Sequence, residues 1–69
     1  MTNDKIESMF TYHAPKNDQP ARYTVLRDRC KDLAIKFNEL APDSTEKDIA
    51  MQKLSEASMW INAAIARNE

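Results

Sequence analysis

The side chains of this sequence that could hold a phosphate outnumber those that could do covalent chemistry. Basic residues gather in "ARYTVLRDRCK", from Ala21 to Lys31. Tyr23, Arg27 and Lys31 are spaced by four, which lays them along one edge of a helix. Arg22 and Arg29 are seven apart and line another edge. A guanidinium is a planar fork whose paired N–H groups match two phosphate oxygens. Upstream, "FTYHAPKNDQP", from Phe10 to Pro20, carries Tyr12, His13 and Lys16. An aromatic plane beside cations supplies what a nucleobase-plus-phosphate ligand needs, a stacking surface and a counter-charge. A plainer reading stands beside each of these. Phe10 and Tyr12 could simply cover the open end of a helical core, and the arginines could pair with Asp28 and Asp32 on a solvated face. Arg67 follows Trp60 by seven residues, so the two share a helix face. A cation near a helix C-terminus is favoured by the dipole in any case. Copies of Arg67 gathered about a symmetry axis, however, would repel unless a multivalent anion sat between them.

Covalent chemistry has little to work with. His13 is alone, and no Ser or Cys lies in a context that suggests an activated nucleophile. The expectation is therefore a protein that is not an enzyme, with no catalytic residue and no cofactor. One Cys, Cys30, and one His cannot build a structural zinc site, and no metal is expected. With no Gly in the chain there is no phosphate loop, so any phosphate must be held by side chains or helix N-termini. A net charge of −1 provides no cationic field for DNA. No run of about 20 apolar residues occurs, which argues against a membrane span. "MTNDKIESMF" lacks the basic start and apolar stretch of a signal peptide, and a single free thiol fits a reduced cytosol.

Helices must position these residues, since the absence of Gly disfavours hairpin turns and a β-rich fold. Residues 3–9 are expected to form a short helix capped by Thr2 or Asn3, followed by an extended or turning segment. Helix A is capped by Asp18 or Gln19, with Pro20 at its first position. Tyr23, Leu26, Cys30, Leu33, Phe37 and Leu40 follow in an uninterrupted 3–4 stripe. Pro42 stops it. Asp43 or Ser44 starts helix B; with Asp43 as cap, Glu46 would complete a capping box. Ala50, Leu54, Ala57, Ile61 and Ala64 make the second stripe. So short a connection forces antiparallel neighbours. The predicted fold is all-α: one domain over 1–69, with an N-terminal segment (1–19), helix A (20–41) and helix B (44–67) closed into a two-helix hairpin. Val25, Ile35, Ile49 and Trp60 fall outside that seam, and a hairpin has one inside. A chain of 69 residues also buries too little surface for comfort. Assembly into a homo-oligomer is the expected remedy.

From Tyr12 to Glu69 the chain resembles the helical-hairpin domain of phage sponge proteins that counter CBASS and Thoeris immunity. The Arg22-Tyr23 start of helix A, the turn "LAPDSTEK" and the closing "MWINAAIARNE" carry the likeness. The resemblance implies a non-catalytic homo-oligomer, commonly a hexamer, acting in the host bacterial cytoplasm. It would sequester cyclic oligonucleotide signals intact: cyclic GMP-AMP-like dinucleotides in pockets between protomers, cyclic trinucleotides at separate sites. Carried over residue by residue, it points to Tyr12 for base stacking and Arg27 as the cation of the dinucleotide pocket, helped by His13 and Lys16. It points to Arg67, helped by Arg29, for the trinucleotide. The competing function is a small helical module that binds a host protein through its exposed apolar faces.

Overall fold

A computed structural model describes all residues from Met1 to Glu69. It contains three helices and no strand: α1 (Asn3–Phe10), α2 (Gln19–Leu40) and α3 (Thr45–Asn68). Thr2 caps α1, its hydroxyl accepting from the Lys5 N–H at 3.2 Å. Asn17, at φ 53°, turns the chain into α2. This is a left-handed position, which Asn tolerates better than most residues other than Gly. Asp18 precedes α2 without a side-chain cap bond, and Pro20 occupies its first turn.

The α2–α3 turn is built on Ser44 and Lys47. Ser44 is the cap of α3, its hydroxyl oxygen accepting from the Lys47 N–H at 3.1 Å. The capping box expected of Asp43 and Glu46 is therefore not formed, and Lys47 stands at the third helical position. Its ammonium donates to the carbonyls of Asn38 (3.0 Å) and Ala41 (3.1 Å) and to Asp43 Oδ1 (2.9 Å). Only 8% of the Lys47 side chain is exposed. One cation thus satisfies two orphan carbonyls at the α2 C-terminus and meets its dipole. The Lys47 hydrogen bond, and then its charge, hold the Asp43 carboxyl below its usual range.

A second clasp closes the other end. Both terminal nitrogens of Arg22 donate to the Glu69 carboxylate, and Asp18 lies 3.2 Å from the same guanidinium. The Arg22 hydrogen bond lowers the Glu69 carboxyl, and that same pairing, with Asp18 adding to it, raises Arg22. Gln19, 3% exposed, is the one buried residue of the chain; its side-chain carbonyl accepts from the Lys16 N–H at 3.1 Å. The two clasps join opposite ends of α2 and α3 and make the hairpin antiparallel.

Between them the seam departs from the expected stripes. On α2, Tyr23, Leu26, Cys30 and Phe37 are half-buried, but Leu33 and Leu40 are exposed and Ala34 and Ala41 turn inward instead. On α3, Ala50 and Leu54 pack, whereas Ala57, Ile61 and Ala64 are exposed and Met51, Ser58, Asn62 and Ile65 replace them. The inward positions follow a period close to 3.6. A strict 3–4 alternation has a period of 3.5, and a straight helix drifts from it by about 20° per heptad.

No apolar side chain is fully buried. The molecule measures 45 × 29 × 12 Å, a plate one helix thick. Its radius of gyration is 15.2 Å, where a compact domain of this length has about 11 Å. Its accessible surface is 5673 Å², against about 4,400 Å² for a compact monomer of 7.9 kDa. No helix is long and apolar enough to cross a membrane.

Candidate nucleotide-binding groove

The expected edge of Tyr23, Arg27 and Lys31 borders two adjoining depressions between α2 and α3. The first, about 360 Å³, is lined by His13, Tyr23 and Arg27 on one side and Asn62, Ala63 and Ala66 on the other. The second, about 260 Å³, sets Arg27, Cys30, Lys31 and Ala34 against Met51, Leu54, Ser55, Ser58 and Met59. Arg27 is common to both, so one residue borders both halves of the groove. His13 is brought there from the N-terminal segment by a 2.8 Å hydrogen bond from its Nε2–H to the Ser8 carbonyl. That bond fixes the tautomer and leaves Nδ1 for a ligand.

The cations of the groove are uncommitted. The chain's ion pairs are Arg22–Asp18, Arg22–Glu69, Lys36–Glu39, Lys47–Asp43 and Lys53–Glu56. Arg27, Arg29, Lys31 and Arg67 have no carboxylate partner. The plainer expectation, arginines neutralised by Asp28 and Asp32, is thus overturned. Asp28 adjoins both Arg27 and Arg29 in sequence, and neighbouring residues do not face each other on a helix. Arg29 does reach Asp32 in spacing, but with the cation N-terminal to the acid, the weaker order. Arg27's one side-chain bond is a long one, 3.5 Å from Nη2 to the Thr24 hydroxyl.

The remaining expected residues lie elsewhere on the protomer. Tyr12 is 84% exposed, next to His13 in sequence but not among the groove's walls. Lys16 sits beside the Arg22–Glu69 clasp, where its charge helps lower Glu69. Arg67 shares a depression of about 290 Å³ with Met59, Trp60 and Ala63, next to the groove, which Met59 and Ala63 also line. Arg29 lines a different one with Asp32, Leu33, Ile35 and Lys36. Within one chain, then, His13 and Arg27 come together, whereas Arg67 and Arg29 do not. The α3 wall was missed from sequence. Its signal was a small polar stripe, Ser55, Ser58 and Asn62, at helical spacing inside an otherwise apolar run.

At the turn end, Leu33, Phe37, Leu40, Ala41 and Ala50 line an apolar depression of about 380 Å³. Together with Trp60 and Ile61 it leaves large apolar areas in water.

Comparison with protein families gives a match. The model of the Acb2/Tad1 hairpin domain covers residues 2–66 of the 69. No curated protein and no solved structure matches the chain. Members of that family are binding proteins of the sponge type. A three-helix chain closed as a hairpin and matched over nearly its whole length belongs to the Acb2/Tad1 hairpin-domain family, the anti-CBASS and anti-Thoeris sponges.

Proposed function

We propose that this protein sequesters cyclic dinucleotide and cyclic trinucleotide immune messengers without cleaving them, inside the host bacterial cytoplasm. The observation that carries the reading is the groove, where an unpaired Arg27 stands between an aromatic-lined and a hydroxyl-lined depression. Phosphate binds the guanidinium fork, and a base lies in the depression on either side. Arg27 and His13 are the dinucleotide residues of the groove, with Lys31 beside them. Tyr12 joins from the segment 1–19, and Lys16, beside the Arg22–Glu69 clasp of its own chain, serves with it across a contact between copies. Tyr12, left in water by its own chain, serves a groove on a neighbouring copy.

The trinucleotide takes a separate site built from Arg67 of several protomers, with Arg29 as a helper. A lone Arg67 beside Trp60 is a poor clamp, but several arginines around one axis match a ring of phosphates. This needs a homo-oligomer, and hexamer is the state proposed here. The chain's exposed surface exceeds that of a compact monomer by about 1,300 Å². That is on the scale a stable interface covers.

Incubation with a panel of cyclic di- and trinucleotides, then heat denaturation and chromatography, tests the reading. Intact ligand should be recovered from the denatured protein. A linear or cleaved product would favour an enzyme, and no binding across the panel would favour a module that docks on a host protein through Trp60 and Val25. Light scattering should show an assembly at micromolar concentration, where a monomer would contradict shared sites.

A further inference from the structure

We propose that Asn62 is the specificity-determining residue of the groove and that it selects adenine among the bases of a cyclic nucleotide. This rests on the sponge reading above. The Asn62 side-chain carbonyl is buried and accepts no hydrogen bond. Buried polar groups in folded proteins are nearly always paired, because an unpaired one forfeits its hydration for nothing. Gln19 and Lys47, which also face the hairpin seam, obey that rule: both are bonded. Asn62 is on the wall of the same depression that Arg27, Tyr23 and His13 line. The acceptor is unpaired but covered, so a ligand donor reaches it only once the amide turns.

The other unpaired buried atom, Arg22 Nε, offers no such vacancy. The two remaining nitrogens of that guanidinium are already held by Glu69 in the clasp. Asn62 is free to respond. The torsion that turns its amide plane is broad and roughly two-fold. Its neighbours on the wall, Ala63 and Ala66, carry nothing beyond Cβ to overhang it. A turn of the amide would carry the oxygen to the groove without moving the helix.

A carboxamide offers an acceptor and a donor side by side. The edge of adenine formed by its N6 amino group and N7 is the complement of that pair. The corresponding edge of guanine or hypoxanthine offers two acceptors, which would leave the Asn62 oxygen unpaired as before. Arg27, facing Asn62 across the depression, then takes the phosphate.

The test is titration calorimetry of the full chain and of Asn62→Ala against cyclic di-AMP, cyclic di-IMP and cyclic di-AMP carrying 7-deazaadenine. Light scattering checks that assembly is retained. The unaltered protein should bind cyclic di-AMP at least about fivefold more tightly than either analogue, the least a bidentate pair provides. Asn62→Ala should bind the three equally. Equal binding of the three by the unaltered protein overturns the proposal, whether or not the variant folds. So does a preference that survives intact in Asn62→Ala. If the unaltered protein binds no cyclic nucleotide, the sponge reading itself falls; if it binds all three alike, the role of Asn62 alone falls.

Discussion

Removing the Arg27 side chain should cost most of the affinity for a cyclic dinucleotide. Arg27 lines both halves of the groove and has no carboxylate partner, so in the free protein only the long bond to the Thr24 hydroxyl competes for its fork. A bidentate grip on a phosphate makes two charge-assisted hydrogen bonds. At about 1.5 kcal/mol each, the low end because the groove is open, they total about 3 kcal/mol. Arg27→Ala should therefore raise Kd roughly 150-fold. Arg27→Lys keeps the charge but loses the fork, and about half the energy with it, so Kd should rise roughly tenfold. Both differences should shrink with added salt. Calorimetry at fixed ionic strength measures Kd, while circular dichroism and light scattering confirm that helix content and assembly are unchanged. An Arg27→Ala protein that binds within about threefold of the parent, with its assembly intact, would refute the reasoning. The phosphate would then be held by some other group.

Arg67→Ala should weaken trinucleotide binding far more than dinucleotide binding; equal loss of both with the oligomer intact would sink the separate-site assignment. Lys47→Met keeps the apolar stem but strips two hydrogen bonds from the α2 C-terminus. It should cost about 2 kcal/mol and lower Tm by roughly 8–16 °C at fixed protein concentration, and an unchanged melt would count against the turn described here. Asp43 and Glu69 titrate below their usual range because Lys47 and Arg22 hold their ionised forms. The stability they contribute is therefore fully present above about pH 5 and is lost as pH falls through their lowered folded values. Melts recorded downward from pH 5 should show Tm dropping, and Glu69→Gln should drop less steeply; parallel curves would show that the clasp contributes nothing.

Which parts of this fold were legible depended on the range of the interaction involved. Helix starts and stops follow from neighbours in sequence: Thr2, Pro20 and Pro42 mark them without reference to the rest of the chain. The basic edge was legible for the same reason, since four-residue spacing alone lays Tyr23, Arg27 and Lys31 in a line. The seam was harder. Leu33 and Leu40 look like core by spacing, yet two straight helices meet along a line that advances toward Ala34 and Ala41, and only the pairing reveals it. The clasps were beyond reach. Arg22 and Glu69 lie at opposite ends of the hairpin sequence and meet only when it closes. Lys47 acts through a long side chain folded back across the turn, which no residue pattern announces. Tyr12 and Lys16 were placed with His13 because they are near it in the chain. In the folded protomer the Ser8–His13 bond carries His13 alone into the groove, and Lys16 follows Gln19 to the clasp.

A plate 12 Å thick offers a bound molecule a groove of its own chain on one side only. Whatever closes the opposite side governs how long the molecule stays. If that second wall is another protomer, release requires subunits to part, and residence time is inherited from the lifetime of the assembly rather than from contacts in the groove. A messenger caught this way would be withheld for far longer than its affinity for a single hairpin suggests. The thinness of the hairpin would then act as a timer.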